Sequence, residues 1–200
     1  MKYIIMADGK GRRWNNSLGI PKHLVKINGE CLLERTVRQL RERDPHCEVI
    51  ITSHDERYDI DGATRYEPKN NVYEIDRFTY ELIEDDICFL YGDTYYSDGC
   101  MDKIVAKDVD EMYFFGNESS IIAIKVKCSE TFRKCVDTVK ELFIAGKIKN
   151  CIGWHVYQCF MNYEYDVKKV GDEYMLINDE TSNINRLEEF EHLQEEMVKR

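Results

Sequence analysis

No run of apolar residues in the 200-residue sequence approaches the ~20 that a membrane-spanning helix needs. Met1-Lys2-Tyr3 leads straight into the first apolar stretch, without the long apolar segment of a secretory signal. The expected location is the cytoplasm. Positive charge is in deficit: 28 Lys and Arg stand against 38 Asp and Glu, a formal net charge of −10. That balance argues against nucleic acid as a partner, since binding to its phosphates wants a basic face. The eight cysteines contain no Cys-x-x-Cys pair and no zinc-ligand spacing. They read as reduced, mostly buried small hydrophobes. Neither standard phosphate loop is present: there is no Gly-x-x-x-x-Gly-Lys-Ser/Thr, and no third glycine completes Gly-x-Gly-x-x-Gly. No repeat, low-complexity tract or linker divides the chain, so a single domain over residues 1–200 is expected, with enough chain for a sizeable core.

Against these absences stands one dense stretch at the start of the chain. Lys2 to Asp8 is a short apolar run with little alternation, the pattern of a strand buried on both faces. It runs into Gly9-Lys10-Gly11-Arg12-Arg13, crosses a polar segment from Trp14 to Ile20, and closes on Pro21-Lys22. Glycine tolerates the positive φ that lets consecutive backbone N–H groups form an anion nest. Lys10, Arg12, Arg13 and Lys22 make that loop electropositive, and phosphate is the matching guest. A Gly-x-Gly after a strand is also found in plain tight turns, and that reading stays open on the loop alone.

Ile5 to Arg13 followed by Pro21-Lys22-His23-Leu24 resembles the signature of the nucleotidyltransferase family, in which an apolar strand runs into Ala-Ala-Gly-x-Gly-x-Arg and then Pro-Lys. Its members include sugar-phosphate nucleotidylyltransferases, phosphocholine cytidylyltransferases and the molybdenum-cofactor type of guanylyltransferase. Asp8 departs from the pattern, since the family places Ala or Gly there. An acid beside a triphosphate must pair with a basic neighbour, meet a ribose hydroxyl or help to hold a metal. The resemblance implies an α/β fold: a Rossmann-like, GT-A-like three-layer α/β/α sandwich with a mostly parallel central sheet. Residues 1–110 would form its nucleotide-binding part and 111–185 its acceptor-binding part.

The rest of the chain is consistent with that architecture. Leu24 to Ile27 reads as a short strand turned by Asn28-Gly29. Leu33, Val37 and Leu40 give one apolar face to a helix over residues 31–43, which Asp44-Pro45 stops. Glu48 to Ser53 is a second buried strand, so the first third reads as a βαβ unit. A short strand at 63–66 ends in Glu67-Pro68-Lys69-Asn70-Asn71, and Val72, Ile75, Phe78 and Leu82 predict a helix over 71–84 with Asn70 or Asn71 as its N-cap. The resemblance lays Pro68, Asn70 and Asn71 over the nucleotide. Ile87 to Tyr91 is a further apolar strand leading into Gly92-Asp93. Open parallel sheets bind ligands at the carboxyl ends of their strands, and the family's Gly-Asp supplies a Mg²⁺ ligand; a turn or capping role is the alternative for Asp93.

Further on, strands are predicted at 112–115 and 120–126 about Gly116-Asn117, a helix from Ser129 as cap to Ala145, a helix from Trp154 to Met161, a strand at 173–177, and a charged closing helix over 183–200. The family carries its acceptor pocket in this region. Trp154 and His155 are the acceptor-binding candidates, and an aromatic core explains the same residues equally well. Glu180, with Asp179 beside it, matches a second metal ligand.

The implied reaction is attack by an acceptor phosphate on the α-phosphorus of a nucleoside triphosphate, with release of pyrophosphate. Catalytic residues would be Arg13, Lys22 and Asp93; the nucleotide would lie on Ala7, Asp8, Gly9, Lys10, Gly11, Arg12, Arg13, Lys22, Pro68, Asn70, Asn71 and Gly92; Asp93 with Glu180 or Asp179 would hold Mg²⁺. Cytidine is the favoured base, and surface-polysaccharide or activated-precursor synthesis the implied setting. Two other classes compete. A GT-A glycosyltransferase wants Asp-x-Asp at the central strand end, where Gly92-Asp93-Thr94 gives one acid. A noncatalytic nucleotide sensor would bind triphosphate without releasing pyrophosphate. Oligomeric state is open, a homodimer included.

Overall fold

The computed structural model describes residues 1–165, 167 and 169–199. In chain order the first elements are β1 (Lys2–Met6), β2 (Lys26–Ile27), β3 (Glu30–Cys31), α1 (Leu32–Arg43), β4 (Glu48–Thr52), β5 (Thr64–Tyr66) and β6 (Ile87–Tyr91). They are followed by β7 (Thr94–Tyr95), α2 (Asp98–Ala106), β8 (Met112–Gly116), β9 (Ile121–Val126), α3 (Ser129–Ile144), α4 (Gly153–Phe160), β10 (Tyr174–Leu176), β11 (Ser182–Asn183) and α5 (Leu187–Val198). Among the described residues seven strands form one sheet in the order β10-β8-β9-β6-β1-β4-β5. Pairings β1–β4, β1–β6, β4–β5 and β8–β10 are parallel, while β9 runs antiparallel between β6 and β8.

Side-chain alternation divides the core into two layers, because neighbouring residues of a strand face opposite ways. Tyr3 and Ile5 of β1 and Ala7 just after it join Leu33, Val37 and Leu40 of α1 and Met101 and Ile104 of α2. Ile4 and Met6 join Phe132 and Val136 of α3 and Trp154 and Tyr157 of α4 on the other side. Both faces of β1 are covered, which is why its sequence is a continuous apolar run. The expected three-layer α/β/α sandwich with a mostly parallel sheet is the observed fold. A third cluster sits at one end, where α5 lays Phe190 and Leu193 on Trp14, Val25, Ile27, Leu32, Tyr95 and Ile184.

The strand order places the site. From β1 the chain moves outward through β4 and β5, then returns to add β6 on the other side of β1. The loops after β1 and β6 therefore diverge at the reversal of strand order, and a crevice opens at those carboxyl ends. The two ends nearly touch: Gly92 N–H donates to the Met6 carbonyl at 3.0 Å. A Cβ at position 92 would lie 2.9 Å from the Met6 carbonyl oxygen and 3.2 Å from the Ala7 Cβ. Glycine is what admits Asp93 to this position. Asn28 and Gly29, with φ of 51° and 84°, turn the β2–β3 hairpin as their sequence predicts.

Several local expectations are corrected. The helix read over 71–84 is instead two 3₁₀ turns, Glu74–Phe78 and Tyr80–Leu82, separated by Thr79 at φ 46°. Neither Asn70 nor Asn71 caps it. Tyr73 is the N-cap, and the Asp76 carboxylate accepts the N–H groups of Val72 and Tyr73 at 3.0 and 2.8 Å. Cys128, not Ser129, is the N-cap of α3, and the Ser129 N–H donates to Asp85 Oδ1 at 2.7 Å. The closing helix is α5 alone, and its last expected residue, Arg200, lies outside the described residues.

Candidate active site

Gly11 takes φ 56°, and its carbonyl accepts the N–H groups of both Trp14 and Asn15 at 3.0 Å. The loop then makes left-handed steps at Asn15, Asn16, Leu18 and Gly19. Gly9, expected to share the positive φ, does not adopt it. Among the described residues no carbonyl or side chain takes the backbone N–H of Gly9, Lys10, Gly11, Arg12 or Arg13. Five consecutive donors are thus open to an anion. The polar segment hides an anchor that composition did not reveal. Trp14 is only 2% exposed, packs edge-on against Phe190 with ring centroids 6.2 Å apart, and donates Nε1–H to the Ile20 carbonyl at 2.7 Å. Both ends of the loop are held by that indole.

Past the anchor, Pro21 in extended geometry delivers Lys22 to a 3₁₀ turn, where the lysine is 9% exposed. Its ammonium forms a salt bridge with Asp93 Oδ2 and donates to Asn185 Oδ1 at 3.1 Å. Arg13 Nη2 donates to the same Asn185 oxygen at 2.8 Å. Arg77 supplies a further cation, its guanidinium 3.7–3.8 Å from where a Cβ on Gly9 would sit. Burial pushes the Asp93 carboxyl up, but Lys22, then His23 and Arg77, hold it below the ordinary carboxylate range. Lys22, Asp93, Arg13 and the Gly9–Gly11 turn are brought together as expected. Ala7 and Gly92 form the contact beneath them, while Lys10 and Arg12 project from the loop surface. Beside them opens a cleft of about 700 Å³, bounded by the Gly9 loop, Lys22, His23 and residues 53–58.

Register sets Asp179 and Glu180, the expected second metal ligands, apart from Asp93. In the β7–β11 pair Thr94 faces Asn183 and Tyr95 faces Ser182, so Ile184 lies against Asp93 and donates its N–H to the Asp93 carbonyl at 2.6 Å. Asp179 falls farther along, on the order of 10 Å away, where its carboxylate accepts from Ser97 Oγ and Thr181 N–H at 2.9 Å each. Glu180 shares that turn. The residue facing Asp93 across the ammonium is Asn185, fixed by its N–H to Glu189 Oε2 at 2.6 Å. Among the described residues no group of three His, Cys, Asp or Glu is arranged to hold a metal. Asp93 Oδ2 and Asn185 Oδ1 do converge on one positive charge. They fit Mg²⁺, a hard cation that takes one or two protein oxygens and completes its shell with phosphate and water.

Other expected residues are placed elsewhere. Asn71 reaches back to Asp8 rather than capping, Asn70 is exposed, and Pro68 is buried. Trp154 and His155 lie in α4, 4% and 8% exposed, Trp154 packing on Tyr157 and Tyr174 and His155 on Tyr165. The aromatic-core reading describes them, and neither borders the cleft.

His23 brings a pH dependence. Burial pushes its imidazole down to about 4, Asp93 opposing and Lys22 and Arg77 reinforcing the shift, and Nδ1 pairs with Tyr58 Oη at 2.8 Å. As pH falls below about 6.5 the unfolded chain takes up this proton first, so the folded state loses stability until about pH 4. The loss reaches roughly 2 kcal/mol at pH 5. Urea unfolding at pH 7 and 5 is expected to show that difference in the wild type and not in His23→Gln.

No family model and no curated protein matches this sequence. Solved structures match it along nearly its whole length. A CTP:phosphocholine cytidylyltransferase from Streptococcus pneumoniae is 14% identical, with 98% of each chain covered and a TM-score of 0.61. A UDP-glucose pyrophosphorylase complexed with UDP-glucose is 11% identical, covering 99% of this chain and 98% of that one, with a TM-score of 0.65. The fold is that of the nucleotidyltransferases. An inositol-1-phosphate CTP transferase from T. maritima extends the match at 12% identity, 99% and 96% coverage and a TM-score of 0.60. On this nucleotidyltransferase fold, sequence reasoning missed Asn185, Arg77 and Trp14. Only Trp14 left a signal, as a lone large aromatic in a polar loop.

Proposed function

We propose that this chain moves a nucleoside monophosphate from a nucleoside triphosphate to a small phosphorylated acceptor and releases pyrophosphate. The observation carrying the reading is the convergence of Lys22, Arg13, Asp93 and Asn185 beside five open backbone N–H groups, at the switch point of the sheet. An acceptor phosphate oxygen forms a bond to the α-phosphorus while the bond from that phosphorus to the bridging oxygen breaks, and pyrophosphate leaves with the electron pair. The nucleophile is already anionic, so no general base is needed. The barrier is repulsion between anions and the charge gathered on a crowded phosphorus, which preorganised cations and N–H dipoles offset.

The N–H groups of Gly9–Arg13 cradle the polyphosphate, Arg13 takes the β- and γ-phosphates, and Lys22 stays with the α-phosphate as its charge grows. Asp93 and Asn185 would hold Mg²⁺, which when bound neutralises phosphate charge. Residues 1–110 serve the nucleotide and residues 111–185 the acceptor. Cytidine triphosphate is the donor proposed first, because two of the matched structures are described as CTP enzymes. The cytoplasm, where triphosphates are made, is the proposed location, and activated precursors for surface polysaccharide are the proposed products.

The test is pyrophosphate release with Mg²⁺ from the four ribonucleoside triphosphates against choline, ethanolamine, inositol and hexose phosphates. Release confined to one donor–acceptor pair and absent in Lys22→Ala is the expected result. No release, together with no rise in melting temperature on adding any triphosphate, overturns the reading.

A further inference from the structure

A cluster at the open side of the cleft has no part in phosphate transfer as derived above. Three segments build it: Asp8 after β1, His54 after β4 and Asn71 after β5. Asp8 Oδ1 accepts the His54 backbone N–H at 3.1 Å, and Oδ2 accepts from His54 Nδ1 at 3.0 Å and from Asn71 Nδ2 at 2.7 Å. The same Asn71 nitrogen reaches the Asp8 carbonyl at 2.7 Å. Asp8 and His54 both line the cleft, yet the carboxylate is 12% exposed and the imidazole 54%.

These contacts assign different tasks to the two residues. A carboxylate that already accepts three hydrogen bonds is committed to holding its neighbours. Because a carboxylate accepts, Nδ1 of His54 carries a proton, and in that tautomer Nε2 is the ring's acceptor. No hydrogen bond to that Nε2 is formed among the described residues. Fixing an exposed side chain costs rotamer entropy, and here three segments cooperate to fix one imidazole at the edge of a cleft. With phosphates on the Gly9 loop and Lys22, the remaining space lies toward residues 53–58. Asp55, Glu56 and Arg57 line it there, and Arg57 is paired with Asp55, so this wall offers a phosphate no free cation and leaves the space to the uncharged part of the nucleotide.

We propose that His54, oriented by Asp8, reads the nucleoside: its Nε2 accepts a hydrogen bond from a donor group on the ribose or on the base. This rests on the phosphate placement proposed above. Asp8 is a positioning residue for His54, which accounts for an acid beside a polyphosphate loop.

Calorimetry on the full chain separates the possibilities, using inorganic tripolyphosphate, CTP, UTP and 2′,3′-dideoxy-CTP as ligands. In His54→Ala the CTP dissociation constant is expected to rise about tenfold, with tripolyphosphate binding unchanged. Asp8→Ala is expected to show the same selective loss, and His54→Gln, which keeps an acceptor, to retain most of the affinity. If His54→Ala abolishes the preference for CTP over its dideoxy form, the donor is a ribose hydroxyl; if it abolishes the preference for CTP over UTP, the donor is the cytosine amine. A wild type that binds all three nucleotides alike overturns the proposal, as does a His54→Ala variant that binds CTP as the wild type does. A chain that binds neither tripolyphosphate nor any nucleotide removes the phosphate placement, and this proposal with it.

Discussion

Alanine at position 22 is expected to lower turnover by roughly two to three decades, the usual cost of removing one preorganised transition-state contact. The same substitution weakens the fold, because Asp93 would keep its charge in a site where it is 13% exposed with its principal partner gone. A single variant therefore mixes two causes. Lys22→Met combined with Asp93→Asn separates them, since it removes both charges and keeps side chains of similar size. Each single substitution is expected to lower the unfolding free energy. The pair is expected to recover most of that loss, while pyrophosphate release stays at the level of the worse single variant. A double-mutant cycle read by both urea unfolding and turnover makes the comparison. Recovery of turnover along with stability would show Lys22 and Asp93 to be a structural ion pair only.

Trp14→Ala is the second large effect. Truncating a buried tryptophan costs about 3–5 kcal/mol, and here it also frees the loop that carries the five open N–H groups. Trp14 joins two pieces, the loop through the Ile20 carbonyl and α5 through Phe190. Loss of stability is expected together with a rise in KM for the triphosphate. Phe190→Ala, which damages the same cluster but leaves the Trp14–Ile20 hydrogen bond in place, is expected to destabilise comparably and raise KM less. Equal effects on KM would mean that the loop does not depend on its indole anchor.

The sheet was legible because its strands are buried on both faces: Tyr3 to Met6 and Ile87 to Leu90 are apolar at every position, and tertiary context had little to override. The glycine loop after β1 was legible for a different reason. Gly11 at positive φ and Gly92 against the Met6 carbonyl are positions where the backbone itself restricts the residue. What failed was long-range register and local competition for hydrogen bonds. Nothing near residues 179–185 tells that β11 pairs with β7 so as to put Asn185 beside Asp93, while Asp179, the chemically obvious candidate, serves Ser97 and Thr181. Likewise the 3.6-residue spacing of Val72, Ile75, Phe78 and Leu82 is real, but Asn71 is drawn to Asp8 and Thr79 breaks the run. His54 and Arg77 gave no pattern, since His54 meets Asp8 and Arg77 meets Gly9 only through contacts made far away in sequence.

Arg13 and Lys22 both meet Asn185, across separations of 172 and 163 positions. On a ribosome adding about 5–20 residues per second, Arg13 is made roughly 10–30 s before its partner. Throughout that interval the glycine loop has neither the Phe190 ring under its tryptophan nor the amide oxygen that gathers its cations. The proposed nucleotide site is thus among the last parts of the molecule to be assembled, although its motif is among the first to be translated. On the proposed function, competence to handle triphosphate becomes a property of the finished chain rather than of its amino-terminal half.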